Sequence, residues 1–253
     1  MREVFFMKII VNGAEGRTGR VLCRYIEEGD SHELTAYVDR RYETDEASRR
    51  FSTITDFRGD ADCIIDFSHR SQTETLCSYA VRRRLPLVIA ATGQNDADRA
   101  LIEASSRFVP VLLSANLSFG TYLFRNLVRI AACEFKNSDI EITELHRRGK
   151  ADAPSGTALM LSDDILSVRP ECSVSFGCGG KNEKKQNEIT VHSLRLGDRA
   201  GTHTVYFSGE GETVILTHEA GGRLPYAEGA VRAAVFLFGL KAGLYSENDI
   251  FRA

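Results

Sequence analysis

The sequence predicts an α/β chain in two parts. A doubly wound parallel-sheet domain comes first, and an α+β domain with a mostly antiparallel sheet follows. Three observations carry this reading. Short, unbroken apolar runs alternate with helical patterns through the first half. A glycine-rich turn joins the first strand to the first helix. In the second half the apolar residues switch to period-two alternation. Strands buried on both faces read as continuous apolar runs, whereas strands with one wet face alternate.

Taken in order, Lys8–Asn12 reads as a buried strand, 17–28 as a helix and Leu34–Val38 as a second strand. Cys63–Phe67 is a third strand, 72–84 a helix, Leu87–Ala90 a strand, 96–106 a helix and Val109–Leu113 a further strand. Strands that alternate with helices call for a parallel sheet covered on both faces. Alternation then appears in Ile140–Leu145 and within 188–196, 202–207 and 213–217, with a helix at about 155–167. The Gly-, Lys- and Asn-rich stretch 177–187 reads as a mobile loop, and 226–240 as an apolar helix. The expected division is residues 1–117, to which the C-terminal 226–253 returns, and residues 118–225.

Composition narrows the function classes. Of 253 residues, 43% are hydrophobic and 26% charged, which suits a packed globular chain and not a disordered one. Lys and Arg number 32 against 35 Asp and Glu, a formal net charge of -3. That balance supplies no general attraction to nucleic acid or to an anionic membrane. No apolar run reaches the roughly 18–20 residues that span a bilayer. No signal-peptide pattern opens the chain, so the expected location is cytoplasmic. Six cysteines include no CxxC pair and no zinc spacing, which predicts reduced thiols and no metal site. Met7 is an alternative natural start.

The turn after the first strand is Gly13-Ala14-Glu15-Gly16-Arg17-Thr18-Gly19. Glycines there let the backbone bend sharply and approach a phosphate, whose charge meets the free N–H groups of a helix start. The spacing is GxxGxxG, so its place between strand and helix carries the argument for a Rossmann-like dinucleotide site. Glu15 beside a pyrophosphate requires its carboxylate to turn away, and Arg17 favours the anion. Asp39 stands 20 residues past Gly19, where an acid binds ribose hydroxyls, and Arg40 and Arg41 follow it. The acid suits NADH, and the arginines suit the 2′-phosphate of NADPH.

The segment Glu144-Leu145-His146-Arg147-Arg148-Gly149-Lys150-Ala151-Asp152-Ala153-Pro154-Ser155-Gly156-Thr157-Ala158 concentrates the chemistry. A strand delivers His146, which donates a proton near neutral pH. Pro154 opens a helix, and Ser155, Gly156 and Thr157 offer backbone N–H groups to an anion such as a carboxylate. Lys150 adds positive charge.

On these residues the chain resembles the dihydrodipicolinate reductases of the lysine and diaminopimelate pathway. Their signature, E-x-H-H-x-x-K-x-D-A-P-S-G-T-A, stands here as ELHRRGKADAPSGTA. Further likenesses run over nearly the whole chain. They include Gly13–Gly19, Asp66-Phe67-Ser68, Ala90-Ala91-Thr92-Gly93, 114–118 (SANLS), 193–198, 218–220 and 227–230. The resemblance implies reduction of a cyclic unsaturated dicarboxylate by NADH or NADPH, with hydride to ring C4 and a proton to C3. It implies His146 as the acid, Lys150 as a stabiliser of developing charge, and Arg147, Ser155, Gly156 and Thr157 around the substrate. Phe67, Ala91, Thr92, Gly93, Ala115, Asn116 and Leu117 join Gly13, Glu15, Gly16, Arg17, Thr18, Gly19, Asp39 and Arg40 as expected cofactor contacts. A hinge near Asn116 and a homotetramer built on the second domain are implied too.

Three departures stand out. Arg147 replaces the second His of the family's pair, and its fixed charge removes any titration there. Ala90 and Ala91 replace Gly and Thr in the family's G-T-T-G loop, and Leu117 replaces a Phe. Two other classes fit parts of the chain. An amino-acid dehydrogenase of the same build shares the glycine turn but has no need of the whole 146–157 constellation. A dinucleotide sensor would be free to lose His146 and Lys150.

Overall fold

The structure is a computed structural model that describes residues 6–177, 183–198 and 200–252. Of the loop expected at 177–187, residues 178–182 lie outside the described residues, as do Cys178 and the first five residues. The chain divides into two compact units, 1–119 with 223–253 and 120–222.

The first unit holds β1 (Met7–Asn12), α1 (Arg17–Glu28), β2 (His32–Val38), β3 (Arg50–Phe51), β4 (Cys63–Asp66), α2 (Thr73–Arg83), β5 (Leu87–Ile89), α3 (Asp96–Ser106) and β6 (Pro110–Leu113). Helix α4 (Phe119–Glu134) leads into the second unit, with β7 (Asp139–His146), α5 (Gly156–Leu166), β8 (Ser173–Phe176), β9 (Glu188–Arg195), β10 (Thr202–Ser208) and β11 (Thr213–Glu219). The chain then returns to the first unit as α6 (Leu224–Leu237), β12 (Gly243–Tyr245) and α7 (Glu247–Phe251). No helix is long and apolar enough among the described residues to cross a membrane.

The seven-stranded sheet runs β12-β6-β5-β4-β1-β2-β3, with every pairing parallel. Side chains of a strand alternate between faces, and β1 shows the consequence. Ile9 and Val11 pack with Leu22 and Ile26 of α1 and Ala230 and Ala234 of α6. Ile10 points the other way, among Leu76 and Tyr79 of α2 and Ile102 of α3. The strand order reverses between β1 and β4, so their carboxyl ends open the crevice that such sheets use for ligands.

The five-stranded sheet of the second unit runs β11-β10-β7-β9-β8. Its antiparallel part is β11, β10 and β7, and β9 and β8 add to it in parallel. A parallel neighbour needs a crossover, and α5 lies in the connection from β7. Phe124, Val128 and Ala132 of α4 and Leu161 and Ile165 of α5 cover one sheet face, over Ile140, Ile142, Val205 and Phe207.

Helix α4 falls where the sequence reading assigns no element. Its buried residues Phe124 and Val128 are accompanied by exposed Phe119, Leu123, Leu127 and Ile130. A helix apolar on both sides shows no clear stripe of period 3.6. Strands β3, β8 and β12, of two to four residues, are too short to show a period of their own. Pro154, read as opening a helix, sits one residue before the cap. Ser155 is the N-cap of α5, its hydroxyl accepting from the Ala158 N–H at 3.2 Å.

Helix α6 approaches the end of the 114–118 segment without clearance. A Cβ on Gly229 would lie 1.8 Å from the Leu117 carbonyl oxygen. Gly229→Ala is therefore expected to cost about 1–3 kcal/mol of stability through a forced backbone shift. Gly222→Ala, where a Cβ meets nothing within 4 Å, should stay within about 0.5 kcal/mol of the parent. Urea unfolding of both variants checks the contrast.

Candidate active site

In the first unit the glycine turn is fixed by its own backbone. The N–H groups of Gly13 and Ala14 both donate to the Val38 carbonyl, at 2.8 and 3.0 Å, and Gly16 donates to the Gly13 carbonyl at 2.9 Å. Gly13 has φ +81°, and a Cβ there would lie 2.7 Å from the Ser68 nitrogen. Only glycine suits both the conformation and the space. A Cβ on Gly19 would lie 2.0 Å from the Gly13 oxygen. The turn thus lies tight against the start of α1, whose first N–H groups lack helical acceptors.

Glu15 turns away as the chemistry requires. Its carboxylate accepts from Tyr42 Oη at 2.7 Å and Arg20 Nε at 3.0 Å, and these bonds, Tyr42 foremost, hold it below the usual carboxylate range. Asp39 is buried and accepts from Glu15 N, Arg41 N, Arg41 Nε and Arg41 Nη2, at 2.9–3.1 Å. Burial pushes its carboxyl up, but the Arg41 bonds prevail and hold it low. Arg40 is exposed. Asn12, Gly13, Gly16, Asp39, Arg40, Arg41 and Phe67 line one cleft of ≈ 490 Å³. Thr18 Oγ1 accepts from Arg223 at 3.0 Å, and Arg17 is exposed.

The other expected cofactor contacts lie on two loops. Thr92 and Gly93 are exposed after β5, with Gly93 at φ +85°. The Ala91 side chain is buried. Ala115 is exposed, and Asn116 caps its own loop by accepting from the Ser118 N–H at 3.0 Å. The Leu117 side chain lies in the core with α6, so it presents backbone rather than side chain to that loop's surface.

In the second unit the pleat of β7 brings Ile140, Ile142, Glu144 and His146 to the helix-covered face. Glu144 is 0% exposed and His146 9%. His146 Nδ1 is hydrogen-bonded to Glu144 Oε2. The same carboxylate takes the Arg195 guanidinium at 2.7 Å and the Ser155 N–H at 3.3 Å. In the neighbouring strands His203 stands opposite Glu144, and Arg195 beside His146. His203 Nε2 and Ser155 Oγ lie 3.0 Å apart, and the two imidazoles meet edge to face, 5.2 Å between centroids.

The donor atoms of Glu144, His146 and His203 lie within 4.8 Å of one another. The guanidinium on Glu144 already supplies the positive charge that a metal ion would bring. Lys150 Nζ lies 2.7 Å from both oxygens of Asp152, and Arg147 is half-buried beside it. Gly156 is exposed and open around its Cα, and Thr157 is half-buried at the start of α5. The hydroxyl and amide of Ser155 are engaged within the protein.

Sequence reasoning did not single out Glu144, Arg195 or His203 as site residues. Register supplies the signal for two of them. Glu144 shares parity with Ile140 and Ile142, and His203 with Val205 and Phe207. A charged or polar side chain in an inward position is costly unless partnered. Arg195 offers no such sign, because its half of β9 is more exposed.

The family model described as "Dihydrodipicolinate reductase, N-terminus" matches residues 7–117, and "Dihydrodipicolinate reductase, C-terminus" matches 120–251. The 4-hydroxy-tetrahydrodipicolinate reductase of Caldanaerobacter subterraneus subsp. tengcongensis is 36% identical, with 97% of this chain and 98% of that one covered. That of Rickettsia bellii is 35% identical, covering 97% and 95%. Among solved structures, a dipicolinate-bound dihydrodipicolinate reductase from Paenisporosarcina sp. TG-14 shares the fold. Its TM-score is 0.74 at 22% identity, covering 97% of this chain and 99% of that one.

The buried imidazoles predict acid sensitivity. Burial, with the His146 charge second, pushes His203 down from 6.5 to about 4. His146, His32 and His218 are pushed down too, first by burial. Between pH 6.5 and about 4 the unfolded chain binds a proton at His203 that the folded chain refuses. Stability is therefore full above that window and falls as pH drops through it, by up to roughly 3 kcal/mol for this group. Urea unfolding at a series of pH values should show the decline, and His203→Gln should flatten it.

Proposed function

The chain belongs to the dihydrodipicolinate reductase family, and from that premise we propose how its own residues serve the reaction. It is the nicotinamide-dependent reduction of dihydrodipicolinate, formed from 4-hydroxy-tetrahydrodipicolinate, to tetrahydrodipicolinate. The observation that carries the residue assignment is the buried His146, anchored through Nδ1 beside a cationic loop and an open helix start.

The cofactor fits the first unit. A Cβ would fill the space that Gly13 leaves against Ser68, and the start of α1 favours a pyrophosphate. Asp39 would hold the ribose hydroxyls, and Arg40 and Arg41 would meet a 2′-phosphate where one is present. Thr92 and Gly93, with Ala115 and Asn116, would border the nicotinamide. A bound NADH or NADPH supplies the hydride.

The remaining work falls to the second unit. The N–H groups of Gly156 and Thr157 would receive one substrate carboxylate at the α5 start, where the helix dipole favours negative charge. Arg147 would hold the dianion by charge where relatives use imidazole. Lys150, released from Asp152, would face the charge that builds on the ring nitrogen as C4 is reduced. His146 would deliver the proton to C3 from Nε2.

A homotetramer formed through the second sheet belongs to the same proposal, supported by exposed Val214 and Ile215 on β11. So does a cytoplasmic location, supported by free thiols at Cys23, Cys63, Cys77, Cys133 and Cys172.

The test is loss of the reduced nicotinamide's absorbance with freshly generated substrate, with NADH and NADPH compared. Substrate-dependent oxidation is expected with at least one of them. His146→Gln should lower kcat by about 10²–10⁴-fold and leave the dinucleotide Kd unchanged. Undiminished turnover in that variant would refute the assigned role.

A further inference from the structure

Strand β7 puts a carboxylate where its register otherwise carries isoleucine. Glu144 follows Ile140 and Ile142 on the covered face and is fully buried. An isolated ionised carboxylate in such a place is strongly disfavoured. Here donors from three elements converge on it, among them His146 Nδ1, the Arg195 guanidinium and the Ser155 N–H. These come from different parts of the second unit: β7 itself, β9, and the cap of α5. We propose that Glu144, clamped by Arg195, is a positioning residue that anchors His146 through Nδ1 and so makes Nε2 the atom that carries the transferred proton. The inference rests on the reading of His146 as the proton donor.

Geometry supports the assignment of the two nitrogens. A ring nitrogen bonded to a carboxylate keeps its hydrogen, so the other nitrogen is the one that exchanges protons. The Nε2 corner meets a residue without a side chain. A Cβ on Gly201 would lie 2.8 Å from Nε2 and 3.2 Å from Cδ2. The edge-to-face contact with His203, itself tied to Ser155, restrains the ring plane. The imidazole is thus tied at Nδ1 and restrained by His203, and glycine at position 201 keeps a side chain off the Nε2 corner.

Charge points the same way. Burial disfavours the His146 imidazolium, and the Lys150 and Arg195 cations oppose it further. Glu144 is the group that favours it, by hydrogen bond and by charge. His203 faces the ring from β10 but is pushed down to about 4, so it is neutral at neutral pH, and His218 beyond it is pushed down by burial as well. Burial also pushes Glu144 up, and the bonds from Arg195, Ser193 and His146 hold it ionised. In the step itself the Nε2–H bond breaks and a C–H bond forms at C3. The C3–H bond forms with the electron pair left by hydride addition at C4, and the N–H pair stays on Nε2. The proton on Nδ1 stays there hydrogen-bonded to Glu144, and water later returns a proton to Nε2.

The experiment compares the parent, Glu144→Gln, Glu144→Asp, Arg195→Lys and His146→Gln. It reads kcat and KM against pH, dinucleotide Kd, and the protonation and tautomer of His146 by NMR of ¹⁵N-histidine protein. Removing the anion removes the cause that raises the His146 pKa, so the protonated acid is lost at a lower pH. Glu144→Gln is therefore expected to shift the alkaline limb of kcat to lower pH and to lower kcat by about 10²-fold. KM and Kd should hold, and the His146 tautomer should become mixed. Glu144→Asp should restore part of the limb, and Arg195→Lys should shift it less than Glu144→Gln.

A folded Glu144→Gln with the parental limb and tautomer overturns the proposal. Should that variant not fold, the parent still decides. A neutral His146 protonated mainly at Nδ1 supports the proposal, and one protonated mainly at Nε2 overturns it. His146→Gln separates the two readings. If it is inactive while the Glu144→Gln limb stays put, positioning fails alone. If it is fully active, the proton-donor reading fails first.

Discussion

Strand β7 is pleated, so its alternate side chains share a face, and that one constraint binds the second unit's core to its chemistry. Ile140 and Ile142 pack under α4 and α5, and Glu144 and His146 continue the same row. A one-residue slip in register would carry the whole row to the other face. The apolar half of the strand therefore fixes the polar half. His146 is held where it is because the isoleucines before it cannot leave the core without loss of their burial. The same register sets His203 opposite Glu144 and Arg195 beside His146. Residues of three strands thus gather around one carboxylate.

The first unit works by close approach of backbones rather than by a buried charge. Its sheet is parallel throughout and apolar on both faces, so ligand chemistry is confined to the ends of the strands. At the carboxyl ends of β1 and β4 the turn is packed so tightly that side chains are excluded at Gly13 and Gly19. The N–H groups of Gly13, Ala14, Glu15 and Gly16 are spent within the fold, so what is left for a ligand is the start of α1 and a few fixed side chains. Glu15, the one acid within the turn, is drawn off to Arg20 and Tyr42. Asp39 keeps its carboxylate at the cleft but shares it with Arg41. In the proposed cofactor site that pairing would put an acid and a cation together where NADH and NADPH differ.

The elements legible in the sequence are those with one period and one environment. The βαβ alternation, the glycine turn and the 144–158 segment were readable because each is local. Helix α4 was not, since apolar residues on both its faces erase the helical stripe. The parallel addition of β9 and β8 was not, because alternation reports a strand's faces and not its partner's direction. The partners of His146 were hidden for a further reason. Glu144 is two residues away, but Arg195 and His203 reach it through pairing that no local pattern encodes. Ser155 shows the reverse case. Its residue type suggested an anion contact, whereas its hydroxyl and amide tie the start of α5 to His203 and Glu144.

Two ion pairs in the second unit differ in kind, and the difference suits a site that must both hold and release. Glu144–Arg195 is buried on the carboxylate side and saturated with donors. Breaking it would strand a charge out of water, which is strongly unfavourable. Lys150–Asp152 joins a partly covered ammonium to a carboxylate whose side chain is 58% exposed. Such a pair contributes about 0–1 kcal/mol, so an incoming carboxylate or a developing negative charge can take the lysine from Asp152 at little cost. In the proposed mechanism the fixed pair would orient the proton donor, and the exchangeable pair would keep the cation close without committing it. Changes in pH reach this site through its two imidazoles, His146 and His203, and the carboxylate beneath them.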